Sequence, residues 1–91
     1  MAATWTTNFE ALDVATRSVR ATGTRTDGAD VRTYTAEGTV DPADRAASLA
    51  RVINALWDAF QADQAQRTAR AALIAGAETA VSNALNAKEL L

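Results

Sequence analysis

The chain has 91 residues and a formal net charge of −2, with eight arginines and one lysine against eleven acids. It contains no cysteine and no histidine, which excludes disulfides and thiol chemistry and removes the commonest general base and transition-metal ligand. A quarter of the residues are alanine, so the 48% hydrophobic fraction overstates the apolar material. One domain over 1–91 is expected, with a core too small to be self-sufficient.

No stretch approaches the roughly 20 apolar residues of a membrane span. No charged segment followed by an apolar run opens the sequence as in a secretory signal. Residues 1–40 carry five acids and four bases, and residues 41–91 six and five. Neither half is a basic arm, so charge argues against nucleic acid and against a membrane surface. Composition changes at Asp41: ten of twelve threonines precede it, and alanine dominates beyond it. Threonine, valine and tyrosine suit a pleated sheet and alanine suits a helix.

Residues 1–11 read as an N-terminal arm, Ala3-Thr4-Trp5-Thr6-Thr7 at its centre. Trp5 is either an anchor docking into a neighbouring subunit or a ring folded back onto its own chain. Two readings compete over residues 8–18. Thr7-Asn8-Phe9-Glu10 matches a capping box, and Phe9, Leu12, Thr16 and Val19 share a helical face. Against a helix, Val14, Thr16, Val19 and Thr22 are β-branched and favour a strand.

Residues 12–40 predict an antiparallel β-hairpin. The strands run Val14 to Thr24 and Val31 to Val40, with the tip at Asp27-Gly28, where glycine supplies a positive φ. A two-residue turn there pairs Thr26 with Ala29 and Arg25 with Asp30; a three-residue loop is the alternative. Gly23 and Gly38 are candidate bulges or strand ends.

Residues 41–90 predict a long amphipathic helix, since Pro42 to Ala75 contains no glycine and no second proline. Asp41 is the N-cap, Pro42 the first helical residue, and Asp44 sits in the first turn. Leu49, Ile53, Leu56 and Phe60 form one stripe, flanked by Val52 and Trp57. Ile74, Val81 and Leu85 return to that angular position, while Asp63, Gln64 and Arg67 occupy it in between. Asp63 and Arg67 form an i,i+4 pair and are a candidate register layer in a homo-oligomer. Alternatively the helix bends near 61–66 or at Gly76, or the polar middle is solvated and the apolar ends meet different partners.

Paired carboxylates are the one catalytic raw material. Asp27 with Asp30 reads as turn chemistry and Asp41 with Asp44 as capping, so no catalytic residue, metal site or cofactor is expected. Arg17, Arg20, Arg25 and Arg32 gather on the hairpin, which reads either as a β-ribbon contact to phosphate or nucleic acid or, favoured by the neighbouring acids Asp13, Asp27, Asp30 and Glu37, as a balanced, solvated face.

The fold class is therefore α+β: a hairpin followed by a long alanine-rich helix, completed by oligomerisation. The Arg25-Thr26-Asp27-Gly28 turn, the Val31-Arg32-Thr33-Tyr34-Thr35 strand and the Asp41-Pro42 helix entry resemble the build of small bacteriophage virion proteins of tails, baseplates and fibre attachments. That resemblance implies a non-enzymatic structural subunit, located in a virion if phage-encoded and otherwise cytoplasmic. Its partners are copies of itself or other structural proteins. The expected interface is Trp5, Leu49, Ile53, Leu56, Trp57, Phe60, Ile74, Val81 and Leu85. The alternative is a partner-binding regulatory module, antitoxin- or chaperone-like, whose helix orders on its target.

Overall fold

The computed structural model describes residues 2–91. A three-stranded antiparallel sheet in the order β1-β2-β3 is followed by helix. The strands are β1 (Thr4–Asp13), β2 (Ser18–Asp27) and β3 (Asp30–Thr39). After a 3-10 turn over Pro42–Asp44 come α1 (Arg45–Ile74) and α2 (Ala77–Glu89). The expected α+β class and helix entry at Asp41 are present. The expected N-terminal arm is instead a full strand, and neither arm nor helix occupies residues 8–13. Paired against β2 from Thr4↔Thr26 to Ala11↔Val19, this segment satisfies along a ladder the backbone groups that a short helix would satisfy internally.

The β1–β2 connection is a tight turn. Asp13 Oδ1 accepts the Ala15 N–H at 2.9 Å, Arg17 takes a left-handed φ of 59°, and its N–H donates to the Val14 carbonyl.

The β2–β3 turn lies one residue later than expected. Asp27 pairs with Asp30 across a Gly28–Ala29 loop, which sets Thr26 opposite Val31 and Arg25 opposite Arg32. Gly28 has φ 60° and Ala29 is not left-handed. A single positive φ at the first loop position is the signature of a II′ turn, and it places glycine there. The resulting register sets Gly23 opposite Tyr34 and Ala21 opposite Ala36, so that small residues clear space for large ones beneath the helix.

Gly23 is therefore mid-strand, neither a bulge nor an end, whereas Gly38 lies one residue from the end of β3. A Cβ on Gly23 would meet Trp5 Cζ3 at 3.1 Å and Leu56 Cδ1 at 3.2 Å. Glycine stands there because a ring from β1 and a side chain from α1 converge on the backbone.

Asp41 caps as anticipated, accepting the Ala43 N–H at 3.0 Å. Ser48 completes the entry from one turn further in. Its hydroxyl accepts the Asp41 N–H and donates to the Asp44 carbonyl, both at 3.0 Å. At 1% exposure it is a buried polar group with both bonds made.

From Arg45, α1 runs unbroken through 61–66. The interruption falls at Gly76, whose φ of 75° starts α2 without a side-chain cap. The chain divides into two bodies, one ending at Gln61 and the other Ala62–Leu91. In the first, Ser48, Val52, Leu56 and Phe60 are the buried face of α1. Val52 and Leu56 cluster with Ala21, and Tyr34 and Ala36 pack alongside. The buried stripe is thus rotated from the expected one: Val52 moves from margin to centre, and Ile53 turns outward.

Candidate interaction surface

The face of the sheet towards α1 is set by period two. On β1 it carries Trp5, Thr7, Phe9 and Ala11, and on β2 the residues paired with them, Arg25, Gly23, Ala21 and Val19. On β3 it carries Arg32, Tyr34, Ala36 and Gly38. Threonines dominate the opposite face, where Thr6, Thr24 and Thr33 share one row, Asn8, Thr22 and Thr35 the next, and Glu10, Arg20 and Glu37 the one after.

The buried contacts of α1 fall mainly on β2 and β3; on β1 Trp5 packs against the helix, and the inner side beyond it, at Thr7, Phe9 and Ala11, is exposed. Phe9 is 44% exposed, and on the helix Ile53 is 64% and Trp57 47% exposed. Two apolar hollows lie between strand and helix. One of about 300 Å³ is lined by Trp5, Thr7, Ile53, Asn54, Leu56 and Trp57. The other, about 350 Å³, is lined by Phe9, Val19, Val40, Arg45 and Leu49. Together they follow the β1 side of the helix from Arg45 to Trp57.

At one end of this trough sits an aromatic cluster. Trp5 lies 6.0 Å from Tyr34, 6.1 Å from Phe60 and 6.5 Å from Trp57, centroid to centroid. Trp57 and Phe60 are 5.2 Å apart. The Arg25 guanidinium lies 4.3 Å over the Phe60 ring, a favourable cation–π distance. Trp5 is therefore packed on its own chain, the second of the two readings for that ring, with part of it facing the trough.

The interface residues expected from sequence separate into three groups. Leu56 and Phe60 are buried within the first body. Trp5, Leu49, Ile53 and Trp57 line or border the trough. Ile74, Val81 and Leu85, 56–57% exposed, lie in the second body. From Ala62 to Leu91 every residue except half-buried Asp63 is exposed, Leu73 and Leu90 among them at 82% and 88%. Asp63 accepts a hydrogen bond from Arg67 Nε at 3.0 Å. Phe9, Thr7 and Asn54 were missed by sequence reasoning. The signal for the first two is the alternation Trp5-x-Thr7-x-Phe9, which the capping-box reading of the same segment obscured.

The hairpin arginines meet carboxylates. Arg17 reaches Asp41 at 3.2 Å, Arg20 reaches Glu37 at 2.8 Å and Glu10 at 3.7 Å, Arg25 reaches Asp27 at 4.0 Å and Arg32 reaches Asp30 at 2.8 Å. Hydrogen bonds donated to Glu37 and to Asp30 raise the pKa of Arg20 and Arg32 respectively, holding both charged. Such pairing occupies guanidinium forks that could otherwise hold phosphate. Arg20 stands on the outer face and Arg25 and Arg32 on the inner, where α1 leaves their side chains 19% and 12% exposed, so the arginines do not form the one solvated face expected from sequence. Among the described residues no three His, Cys, Asp or Glu side chains gather as a metal site, and no helix is long and apolar enough to cross a membrane. No family model matches the chain, and neither a curated protein nor a solved structure matches it.

Proposed function

We propose that the chain is a non-enzymatic assembly subunit that completes itself against copies of its own chain, of the kind found in bacteriophage tails or fibre attachments and so located in a virion. One observation carries this reading: thirty consecutive residues, Ala62 to Leu91, bury nothing yet hold Leu73, Ile74, Val81, Leu85 and Leu90 exposed. A helix of 13 residues such as α2 is marginal in water unless an apolar face is packed. Val81 and Leu85, one turn apart, form such a face. The trough beside β1 is a second surface of the same character. Paired hairpin arginines and the absence of histidine and cysteine give a chemical or nucleic-acid role little to work with.

The test is absolute mass by light scattering behind size exclusion, over a concentration series. A discrete oligomer is the expected result. A monomer at every concentration overturns self-assembly and moves the helix to a different role, an adaptor or antitoxin-like module whose second body orders on a foreign partner.

A further inference from the structure

Both outer strands of the sheet have an unpaired edge, but the two edges differ. On β3 the inner-facing residues Arg32, Tyr34, Ala36 and Gly38 are all half-buried while the outer-facing ones are exposed, because α1 covers the inner face. On β1 the inner face remains open beyond Trp5, with Phe9 44% exposed and two hollows along it. Proteins blunt free edges with lysine, proline, bulges or very short strands. Thr4–Phe9 has no lysine, no proline and no charge, belongs to a ten-residue strand, and shows its one register shift beyond it, between Ala11 and Asp13. A strand added at this edge gains a backbone ladder and projects alternate side chains beneath Leu49, Ile53 and Trp57.

Resting on the self-assembly reading above, we infer that the occupant is β1 of a second copy, paired antiparallel about a two-fold axis at Thr7 to give a continuous six-stranded sheet with both α1 helices on one face. That pairing sets Trp5 opposite Phe9 of the second copy, Thr7 opposite itself, and Phe9 opposite Trp5 of the second copy. Aromatic pairs across strands are among the stronger cross-strand contacts. Charge selects the direction. An in-register parallel pair would align Glu10 and Asp13 with their own copies, whereas the antiparallel pair sets Glu10 opposite Thr4 of the second copy and leaves each acidic end beside a neutral one. The exposed apolar area points the same way. Phe9, Ile53 and Trp57 leave on the order of 300 Å² of apolar surface exposed, given rings of this size. Leu12, 41% exposed, and the strand edge bring the total towards the roughly 800 Å² per partner of a stable interface.

The chain has no cysteine, so single cysteines report on the pairing without a background. Thr4→Cys, Thr7→Cys, Glu10→Cys and, on β3, Thr35→Cys are each oxidised mildly, and disulfide-linked dimer is quantified alongside the light-scattering mass of the unmodified chain. Opposed Cβ atoms about 4.5 Å apart can bridge. The expected result is an oligomeric mass with Thr7→Cys cross-linking at least about tenfold faster than the other three. An oligomer whose cross-links are uniform along β1, confined to Thr35→Cys or absent overturns the β1 pairing and leaves self-assembly standing. A monomeric mass overturns both. If Thr7→Cys loses the circular dichroism of the parent chain, Thr6→Cys and Asn8→Cys replace it. In that case, cross-linking at either position above Thr4→Cys is the supporting result, the twist of the sheet favouring one diagonal, and its absence at both counts against the pairing.

Discussion

The two bodies of this chain use helix for opposite ends. Up to Gln61 the helix is a lid: every fourth residue from Ser48 to Phe60 is buried, and the sheet is carved with glycine and alanine to receive them. From Ala62 onward the same kind of alanine-rich sequence buries nothing. Local sequence explains the helical backbone in both bodies, since alanine, glutamine and arginine favour it equally. What distinguishes them is whether large side chains at i,i+4 spacing meet a complementary surface. Helix propensity therefore fixes what the second body is, and leaves open what it is for.

That contrast breaks most visibly at Leu56. The side chain is 6% exposed and touches Gly23 and the Ala21 cluster. Leu56→Ala should cost about 2–5 kcal/mol through lost transfer energy and a residual cavity. In a core this small that is enough to melt the first body, read as a large drop in thermal midpoint by near-ultraviolet circular dichroism of the two tryptophans. The matching change in the second body, Leu85→Ala, should move that midpoint hardly at all. Equal effects would mean that the two helical regions are supported alike.

Gly23→Ala tests the same core from the sheet side. In a strand interior, glycine to alanine ordinarily stabilises by about 0.5–1 kcal/mol. Here the new methyl meets Trp5 and Leu56 at 3.1–3.2 Å, and overpacking of this kind costs about 1–3 kcal/mol. The expected sign is destabilising, measured by urea denaturation. A stabilised variant would show that β1 and α1 separate easily.

Ser48→Ala removes the acceptor for the Asp41 N–H and strands a part-buried donor. A loss of about 1–3 kcal/mol is expected, with Ser48→Thr recovering part of it where the extra methyl is accommodated. Hydrogen exchange of the Asp41 amide is the most direct readout, because its protection should disappear in Ser48→Ala alone.

Much of this was legible in the chain, and the failures share one cause. The Asp41-Pro42 entry, the helix over 45–74 and the weak point at Gly76 follow from local chemistry, namely capping, a fixed φ and a left-handed turn. The hairpin was legible for the same reason, though its loop was displaced by one residue because Asp-Gly fits either a I′ or a II′ turn. Strand β1 was legible only in part: the β-branched residues favoured strand over helix across 8–18, but the strand begins inside the supposed arm and a turn at 14–17 separates it from β2. Its capping-box pattern at Thr7–Glu10 is a genuine local preference, overridden by pairing with β2, a partner some fifteen residues away that no local window contains. The trough was hidden with it, since half its floor is β1. Ser48 escaped because serine on an alanine-rich helix is unremarkable until Asp41 is placed against it.

Ile53→Asp should have the smallest effect on folding and the clearest effect on assembly. At 64% exposure the side chain gives up little burial on mutation, so a change within about 0.5 kcal/mol is expected for the isolated chain. The same aspartate would stand in an apolar trough lined by Trp5, Leu56 and Trp57. A partner covering it would have to desolvate a carboxylate with no counter-charge supplied by the lining, a penalty of several kcal/mol. The variant should therefore unfold at the parent temperature and run as a monomer in light scattering. If it assembles as the parent does, the trough is not the joining surface, and the burden of assembly falls on Ile74, Val81 and Leu85 in the second body. If it assembles less and also melts early, Ile53 supports the fold of its own chain, and the separation of core stripe from docking stripe along α1 is sharper in exposure than in energy.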